Sequence, residues 1–215
     1  MNGPPLADRP DAIRVDLQLI AGLIEPGSRV LDVGCGDGAL LHYLVNHKNV
    51  DGRGIELSQE GVNAGVRNGL SVIQGDADTD LADFPENAFD YVVLSQTLQA
   101  TRDPRQVLEQ LLRIGRRAIV SFPNFGYWRC RLQLLIRGSM PRTQLINYDW
   151  YETPNIHLCT INDFTQLCDD LGITIERRFA VNHEGMVGGL RGLDWFENMF
   201  GEQGVFMLTR EESTD

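Results

Sequence analysis

Three glycines at alternate positions follow a short apolar run and predict a site for a nucleotide-like cofactor. The run ends at Val33, and Gly34, Gly36 and Gly38 come directly after it, before an apolar stretch typical of a helix. A strand, a glycine turn and a helix N-terminus together present backbone N–H groups and the positive end of a helix dipole. Glycine allows a ligand to approach the backbone closely, because it has no Cβ.

Two classes of cofactor suit such a turn. The glycine spacing matches the dinucleotide pattern G-x-G-x-x-G/A, with Ala39 at the last position. Asp32, two positions before the first glycine, favours S-adenosylmethionine instead. A buried acid there would repel a pyrophosphate, whereas it can accept a hydrogen bond from the ammonium group of a methionine moiety. The alternative role for Asp32 is to cap the turn by accepting hydrogen bonds from backbone N–H groups.

Two further acids come near the ends of later strands. Glu56 is placed to meet ribose hydroxyls in either class of cofactor. The carboxylate of Asp76 is placed to accept from the exocyclic amine of adenine, and the N–H of Ala77 to reach a ring nitrogen. An acidic surface loop is the alternative for Asp76, because three more aspartates follow it. The candidate cofactor-binding residues are Asp32, Gly34, Cys35, Gly36, Gly38, Glu56, Leu57, Asp76, Ala77 and Ser95.

The elements that must position these residues alternate between strand and helix patterns, as in a parallel sheet covered by helices. Strands are predicted over residues 29–33, 52–57, 70–74, 89–94, 118–122, 174–181 and 205–209. Helices are predicted over residues 11–24, 38–46, 59–68, 104–114 and 161–171. The three acids then lie at the carboxyl ends of strands one, two and three, where open α/β sheets bind ligands.

One long segment, residues 123–160, interrupts this alternation and is rich in aromatic residues and arginine. From residue 110 to residue 148 the chain has seven arginines and no acid, although its net charge is −11. Residues 129–137 are predicted as a short amphipathic helix, with Leu132, Leu135 and Ile136 on one face and the arginines on the other. Such a helix would either cover the edge of the sheet or form a binding surface.

Composition bounds the class of protein. The 215 residues predict one domain, 1–215, with an ordinary 42% of hydrophobic residues. The acidic balance argues against nucleic acid or an anionic membrane as partner. No apolar run approaches the roughly 20 residues that span a bilayer. The start of the chain lacks the features of a signal peptide, and the four cysteines form no CxxC pair, so we expect a cytoplasmic protein.

The catalytic chemistry is harder to assign. Methyl transfer from a sulfonium depends mainly on positioning, and it requires a base only when the acceptor has a proton to lose. His157 is the candidate base by residue type, and a structural hydrogen bond is its alternative role. No (Asp/Asn)-Pro-Pro-aromatic element follows the fourth strand, which argues against amino-group methyltransferases of nucleic acids. No histidine or cysteine cluster has the spacing of a metal site.

The acids and glycines together resemble the class I methyltransferase fold. That resemblance implies a Rossmann-like α/β fold with a seven-stranded, mostly parallel sheet in the order 3-2-1-4-5-7-6 and helices on both faces. Three runs also resemble one family, the methionine biosynthesis protein W family, from about residue 15 to residue 181. They are LSQTLQATRDP at 94–104, RRAIVSFPNFG at 116–126 with its continuation to residue 135, and WYETPNIHLCTI at 150–161. Glu152 stands where the family would have aspartate.

The family resemblance implies a partner, homoserine O-acyltransferase, which this chain would activate while binding S-adenosylmethionine or S-adenosylhomocysteine. The segment 123–160 is then a candidate docking surface, because interfaces favour arginine and aromatic residues. Its candidate partner-binding residues are Trp128, Arg129, Arg131, Trp150 and Tyr151. The alternative function is a catalytically active small-molecule methyltransferase. An NAD-dependent oxidoreductase is disfavoured by Asp32 and by the absence of a second lobe.

Overall fold

The computed structural model describes residues 13–182, 185–187 and 194–210. Its strands are β1 Arg29–Val33, β2 Asp51–Glu56, β3 Ser71–Gln74, β4 Phe89–Ser95, β5 Gly115–Pro123, β6 Ile173–Asn182, β7 Gly185–Val187 and β8 Gln203–Arg210. Its helices are α1 Val15–Leu23, α2 Ala39–Lys48, α3 Gln59–Arg67, α4 Pro104–Ile114, α5 Trp128–Arg137, α6 Ile161–Asp170 and α7 Asp194–Phe200. In this part of the chain no helix is long and apolar enough to cross a bilayer.

The strand order is β3-β2-β1-β4-β5-β8-β6-β7. Strands β1 to β4 pair in parallel, whereas β6 is antiparallel to both β7 and β8. Without the three-residue β7, the order is the predicted 3-2-1-4-5-7-6, so the predicted fold class is confirmed. The chain divides into two compact units. The first unit contains Gln106–Ile119 and the chain up to Ser95, and the second contains Gln96–Arg105 and the chain from Val120 onward.

Most predicted elements agree with the structure to within a few residues. Helix α1 begins at Val15 rather than at residue 11, and residues 11 and 12 lie outside the described part of the chain. Strand β5 begins three residues earlier than predicted, at Gly115, where a Cβ would lie 2.6 Å from a methyl group of Val92. Helix α7 and strand β7 were not predicted from the sequence.

The core of the first unit surrounds β1 and β4, whose side chains are almost all buried. A parallel strand inside a sheet is covered on both faces, which explains the nearly continuous apolar runs. A smaller apolar cluster lies beside the glycine turn and joins it to α2, α3 and β3. It consists of Cys35, Leu41, Val62 and Val72, with Leu70 packed against it.

The core of the second unit contains three packed phenylalanine rings. The ring centroids of Phe122 and Phe164 are 4.8 Å apart, and those of Phe164 and Phe206 are 4.6 Å apart. Together they join β5, α6 and β8. Helix α6 begins at Thr160, whose side chain accepts from the backbone N–H of Asp163 in a capping box.

Asn124, directly after β5, ties together distant parts of the second unit. Its side chain is fully buried and donates to the carbonyl oxygens of Asn198 (2.9 Å) and Gly201 (2.8 Å). Its side-chain oxygen accepts from the N–H groups of Gly126 (2.8 Å) and Ile161 (3.2 Å). One amide therefore satisfies four buried backbone groups and fixes where the segment after β5 begins.

Helix α5 is the predicted amphipathic helix, extended by one residue to Trp128. Only one of its residues, Cys130, is buried, and it packs with Tyr127 and Ile146. The apolar residues Leu132, Leu135 and Ile136 are exposed. The structure therefore does not use this apolar face to cover the sheet edge, which was one of the two alternatives for this helix.

Replacing Asn124 with alanine would leave four buried backbone groups without partners. We expect Asn124→Ala to lower the free energy of unfolding by about 2–4 kcal/mol, which corresponds to a loss of about 5–15 °C in Tm. Asn147→Ala is the matched control, because Asn147 is exposed. Thermal unfolding followed by circular dichroism measures both. Equal melting temperatures for the two variants would contradict the proposed role of Asn124.

Candidate functional site

The glycine turn and two of the predicted acids come together in the first unit. Asp32 lies next to Gly54 across the β1–β2 pair, and Glu56 ends β2. One oxygen of the Glu56 carboxylate accepts the backbone N–H of Gly36 at 2.9 Å. The turn is thus held by a carboxylate twenty residues away in the chain. An anionic acceptor makes this bond stronger than one between neutral groups.

The second oxygen of Glu56 is oriented by Ser58, a residue that the sequence analysis did not single out. It accepts from the backbone N–H of Ser58 at 3.0 Å and from its hydroxyl at 2.9 Å. The same hydroxyl accepts from the N–H of Gly61 and caps α3. Ser58 therefore positions Glu56 and begins the helix at the same time.

Gly61 is a second residue that the sequence analysis missed. A Cβ at this position would lie 2.7 Å from Cγ of Glu56 and 3.0 Å from the carbonyl oxygen of Gly36. The side chain of Glu56 and the glycine turn therefore occupy the space that any larger residue would need. The signal was present in the sequence only as a glycine inside a helix, where glycine is otherwise unfavourable.

The three glycines of the turn all have backbone angles that disfavour other residues. Gly34, Gly36 and Gly38 have φ values of +72°, +57° and +81°. The N–H of Gly34 donates to the carbonyl oxygen of Ile55 at 2.8 Å, and this bond ties the turn to β2. A Cβ at Gly38 would also collide with the side chain of Leu70.

The side chain of Cys35 points away from any ligand role. It is buried in the cluster beside the turn. Burial, followed by the charges of Asp32 and Glu56, raises the pKa of its thiol, which therefore stays neutral. Only the backbone of Cys35 is left to approach a cofactor.

Asp32 is a buried carboxylate without a hydrogen-bond donor. Only 3% of the residue is exposed, and within the described ranges no group donates to its side chain. Burial, followed by the charge of Glu56, raises its pKa to about 7. The turn-capping role that was the alternative for Asp32 is filled by Glu56 instead. An ionised Asp32 therefore lacks a cation, and a positively charged ligand would supply one.

Asp76 and Ala77 follow β3, as predicted, and form a tight turn. One oxygen of Asp76 accepts the N–H of Asp78 at 2.9 Å, and its own N–H donates to Asp80 at 2.9 Å. That hydrogen bond from Asp76 is the first cause of a lowered pKa at Asp80. Leu57, directly after Glu56, leaves 64% of its surface exposed, which offers an apolar face beside the acid.

The end of β4 carries Ser95 and, after it, a strained backbone at Gln96. Gln96 has a φ of +57°, in the left-handed region that residues with a Cβ rarely adopt. Its N–H donates to the carbonyl oxygen of Ser121 at 2.8 Å, which helps to hold this conformation. Such strain is concentrated at functional sites. No residue pattern predicted this conformation.

His157 lies in the second unit and makes the structural hydrogen bond that was its alternative role. Its Nε2 is 3.2 Å from the carbonyl oxygen of Arg102, and its backbone N–H donates to the carbonyl oxygen of Gln99. It also lines a cavity of about 230 Å³ whose walls are mainly apolar. Gln99 contributes a buried side-chain oxygen that has no hydrogen-bond partner in the described structure.

The partner-binding candidates also lie in the second unit. Trp128, Arg129 and Arg131 are on α5, and Trp150 and Tyr151 form an edge-to-face ring pair with centroids 5.6 Å apart. All five are exposed. Across residues 13–182, 185–187 and 194–210, no three His, Cys, Asp or Glu side chains are grouped to hold a metal ion.

Solved structures share this fold across most of their length. A SAM-dependent methyltransferase of Thermotoga maritima, described as a possible histamine N-methyltransferase, aligns with a TM-score of 0.64 at 17% identity. The alignment covers 92% of this chain and 88% of that one. A TehB-like SAM-dependent methyltransferase of Corynebacterium glutamicum aligns with a TM-score of 0.61 at 18% identity, over 93% and 89% of the two chains. At these identities the likeness shows the fold.

Sequence comparison shows the family. A curated relative, the bifunctional methionine biosynthesis protein MetXA/MetW of Rhodopirellula baltica, is 36% identical over 173 residues, which cover 76% of this chain. The match spans 28% of the length of that relative. The family of the methionine biosynthesis protein MetW matches residues 14–208. The chain therefore belongs to the MetW family of methionine biosynthesis proteins.

Proposed function

We propose that this chain binds S-adenosylmethionine and acts in methionine biosynthesis as the activating partner of homoserine O-acyltransferase. The observation that carries the cofactor assignment is Asp32. A buried carboxylate without a donor, beside a glycine turn, needs a cationic ligand. The ammonium group of S-adenosylmethionine supplies that charge.

The remaining candidates fit the other parts of the same ligand. Glu56 keeps acceptor capacity for ribose hydroxyls, because an ionised carboxylate accepts about four hydrogen bonds and three are used. Leu57 offers an apolar surface to a purine ring. Asp76 and Ala77 would contact its edge, and Ser95, the last residue of β4, would lie at the same edge of the sheet. When bound, S-adenosylmethionine would supply an electrophilic methyl group on a sulfonium.

A dinucleotide fits this site less well. Its pyrophosphate would lie against the glycine turn, next to a carboxylate that burial already destabilises in its ionised form. The added negative charge would raise the energy of that carboxylate further. The same carboxylate that disfavours a pyrophosphate favours an ammonium group.

The partner assignment is supported by the fused relative. In that protein a MetXA part and a MetW part share one polypeptide. Fusion keeps two parts at a high effective concentration, which is useful when they work together. We infer that this chain meets a homoserine O-acyltransferase as a separate protein, and that S-adenosylmethionine, made from the product of the pathway, regulates the pair.

Methyl transfer to a small molecule is the second candidate function. The cavity beside His157 and the unpartnered oxygen of Gln99 favour it, because a small acceptor with an N–H or O–H group would satisfy that oxygen. His157 would be the candidate base. Formation of S-adenosylhomocysteine from S-adenosylmethionine in the presence of a metabolite extract would support this function.

Affinity for S-adenosylmethionine should fall as the pH is lowered. The ligand pairs with ionised Asp32, whose pKa is about 7 in the ligand-free chain, so protonation competes with binding. We expect the Kd to rise roughly tenfold between pH 7.5 and pH 6. Calorimetric titration measures it. Asp32→Asn should bind weakly at both pH values, and a pH-independent Kd for the wild-type chain would contradict the role of Asp32.

Asp32→Asn should weaken ligand binding but stabilise the ligand-free chain at neutral pH. Because folding raises the pKa of Asp32, its contribution to stability is present below about pH 4 and is lost as the pH rises through about 7. Between pH 5 and pH 8 the free energy of unfolding of the wild-type chain should therefore fall by about 2–3 kcal/mol relative to that of Asp32→Asn. Urea unfolding at both pH values gives the difference.

Gly61→Ala tests how the site is positioned. The new Cβ must displace Glu56 from Gly36, so we expect the affinity for S-adenosylmethionine to fall about tenfold, the loss of one charge-assisted hydrogen bond. Gly22→Ala is the matched control, because Gly22 is also a helical glycine and has no atom within 4 Å of a new Cβ. Unchanged calorimetric affinity in both variants would rule out this role for Gly61.

The partnership predicts coupling between the two proteins. Acyltransferase activity should rise when this chain is added, and S-adenosylmethionine should change that activity or the affinity of the complex by about 5- to 150-fold, the usual range for coupled sites. An acyltransferase assay with and without both additions measures this. Steady turnover of S-adenosylmethionine without any effect on the acyltransferase would favour the methyltransferase instead.

A further inference from the structure

Helix α5 carries an apolar stripe that faces solvent. Trp128, Leu132, Leu135 and Ile136 recur at the spacing i, i+4, i+7 and i+8, which places them on one side of a helix. Leu135 is 83% exposed and Ile136 is 72% exposed. A helix on the surface of a globular protein normally turns such a stripe toward the core.

The opposite side of α5 fixes this orientation. Cys130, about half a turn away from Leu132, is fully buried and packs with Tyr127 and Ile146. The side chain of Arg131 donates to the carbonyl oxygen of Gly126 just before the helix. These contacts hold the helix with Cys130 inward. The stripe cannot turn inward without breaking them.

A pair of aromatic residues is tied to the same helix. The N–H of Arg142 donates to the side-chain oxygen of Gln133 on α5 at 3.2 Å. The guanidinium of Arg142 binds Asp149 at 2.8 Å, next to Trp150 and Tyr151 in the chain. Both rings are more than 60% exposed. The α5 surface consists of Trp128, Leu132, Leu135, Ile136, Trp150 and Tyr151.

The charge of α5 itself is positive. Arg129, Arg131 and Arg137 lie on α5, and within the described residues none of them forms an ion pair. No acid occurs between residues 110 and 148. Two copies that paired through this same surface would bring like charges together. A partner with acidic residues around an apolar groove would fit it.

We infer that the α5 surface is the docking site for homoserine O-acyltransferase, an inference that rests on the proposed function. The fused relative shows a MetW part joined to a MetXA part, so a partner of this kind is available to the family. Exposed tryptophan, tyrosine and leucine flanked by arginine match the composition of interface cores. A membrane is a poorer occupant, because the chain as a whole has a net charge of −11.

The test is a double substitution, Leu135→Glu with Ile136→Glu, and a matched control, Val15→Glu with Val66→Glu. The control residues are also exposed and apolar but lie on α1 and α3. Surface plasmon resonance with immobilised homoserine O-acyltransferase from the same organism should show a loss of at least about 100-fold in affinity for the first variant. The control should bind within about twofold of wild type.

A charge variant, Arg129→Glu with Arg137→Glu, tests the acidic rim of the partner. Its association rate should fall about tenfold at low salt, and the difference should shrink at 0.5 M NaCl because salt screens surface charges. Thermal unfolding followed by circular dichroism checks that each variant keeps the fold of the second unit, which contains α5.

The outcomes separate the inference from the proposed function. Wild type that binds the acyltransferase, with the Leu135/Ile136 variant binding equally well, overturns the docking site and leaves the proposed partnership standing. Wild type that does not bind overturns the partnership and the docking site together. Two further assays test other occupants: light scattering for self-association and sedimentation with anionic vesicles for membrane binding. If the Leu135/Ile136 variant lost either of these properties but kept its affinity for the acyltransferase, the α5 surface would be a site for a second copy or for a membrane, and the inference would be wrong.

Discussion

The carboxylate of Glu56 is the constraint on which the geometry of the first unit depends. It joins the turn after β1 to the start of α3, because one oxygen accepts from Gly36 and the other from Ser58. Its charge also adds to the effect of burial on Asp32. The site therefore concentrates negative charge before any ligand arrives. A cationic ligand would relieve that repulsion, which gives the ligand-free chain a reason to bind one.

The strands and the glycine turn could be predicted because their signals are local, whereas the strand order came from the resemblance to the class I methyltransferase fold. Alternating apolar runs and glycines after a strand report nearby backbone geometry. The role of Asp32 could not be decided in the same way. Asp32 would cap the turn only if no other acceptor did so, and the acceptor that does is Glu56, twenty residues after Gly36 in the chain. Gly61 was invisible for the same reason, since its need for space comes from residues on β2 and in the turn.

Helix α5 shows where periodicity stops being informative. The pattern predicted the helix and its apolar face, but the direction of that face depends on Cys130 and on its contact with Ile146, sixteen residues later. The short elements β7 and α7 were missed because three and seven residues are too few to show a period. Gln96 was missed because a strained φ has no composition signal when the residue is not glycine.

The exposure of the aromatic residues on the second unit also affects how this protein is observed. The side chains of Trp128, Trp150 and Trp195 are all exposed, and these are the three tryptophans of the chain. Indole emission shifts to the blue when the ring leaves water. Trp150 and Trp195 are 72% and 62% exposed in the folded state, so unfolding changes their emission little, and Trp128, at 37%, contributes most of any change. Intrinsic fluorescence is therefore a weak reporter of folding here and a sensitive reporter of anything that covers the surface.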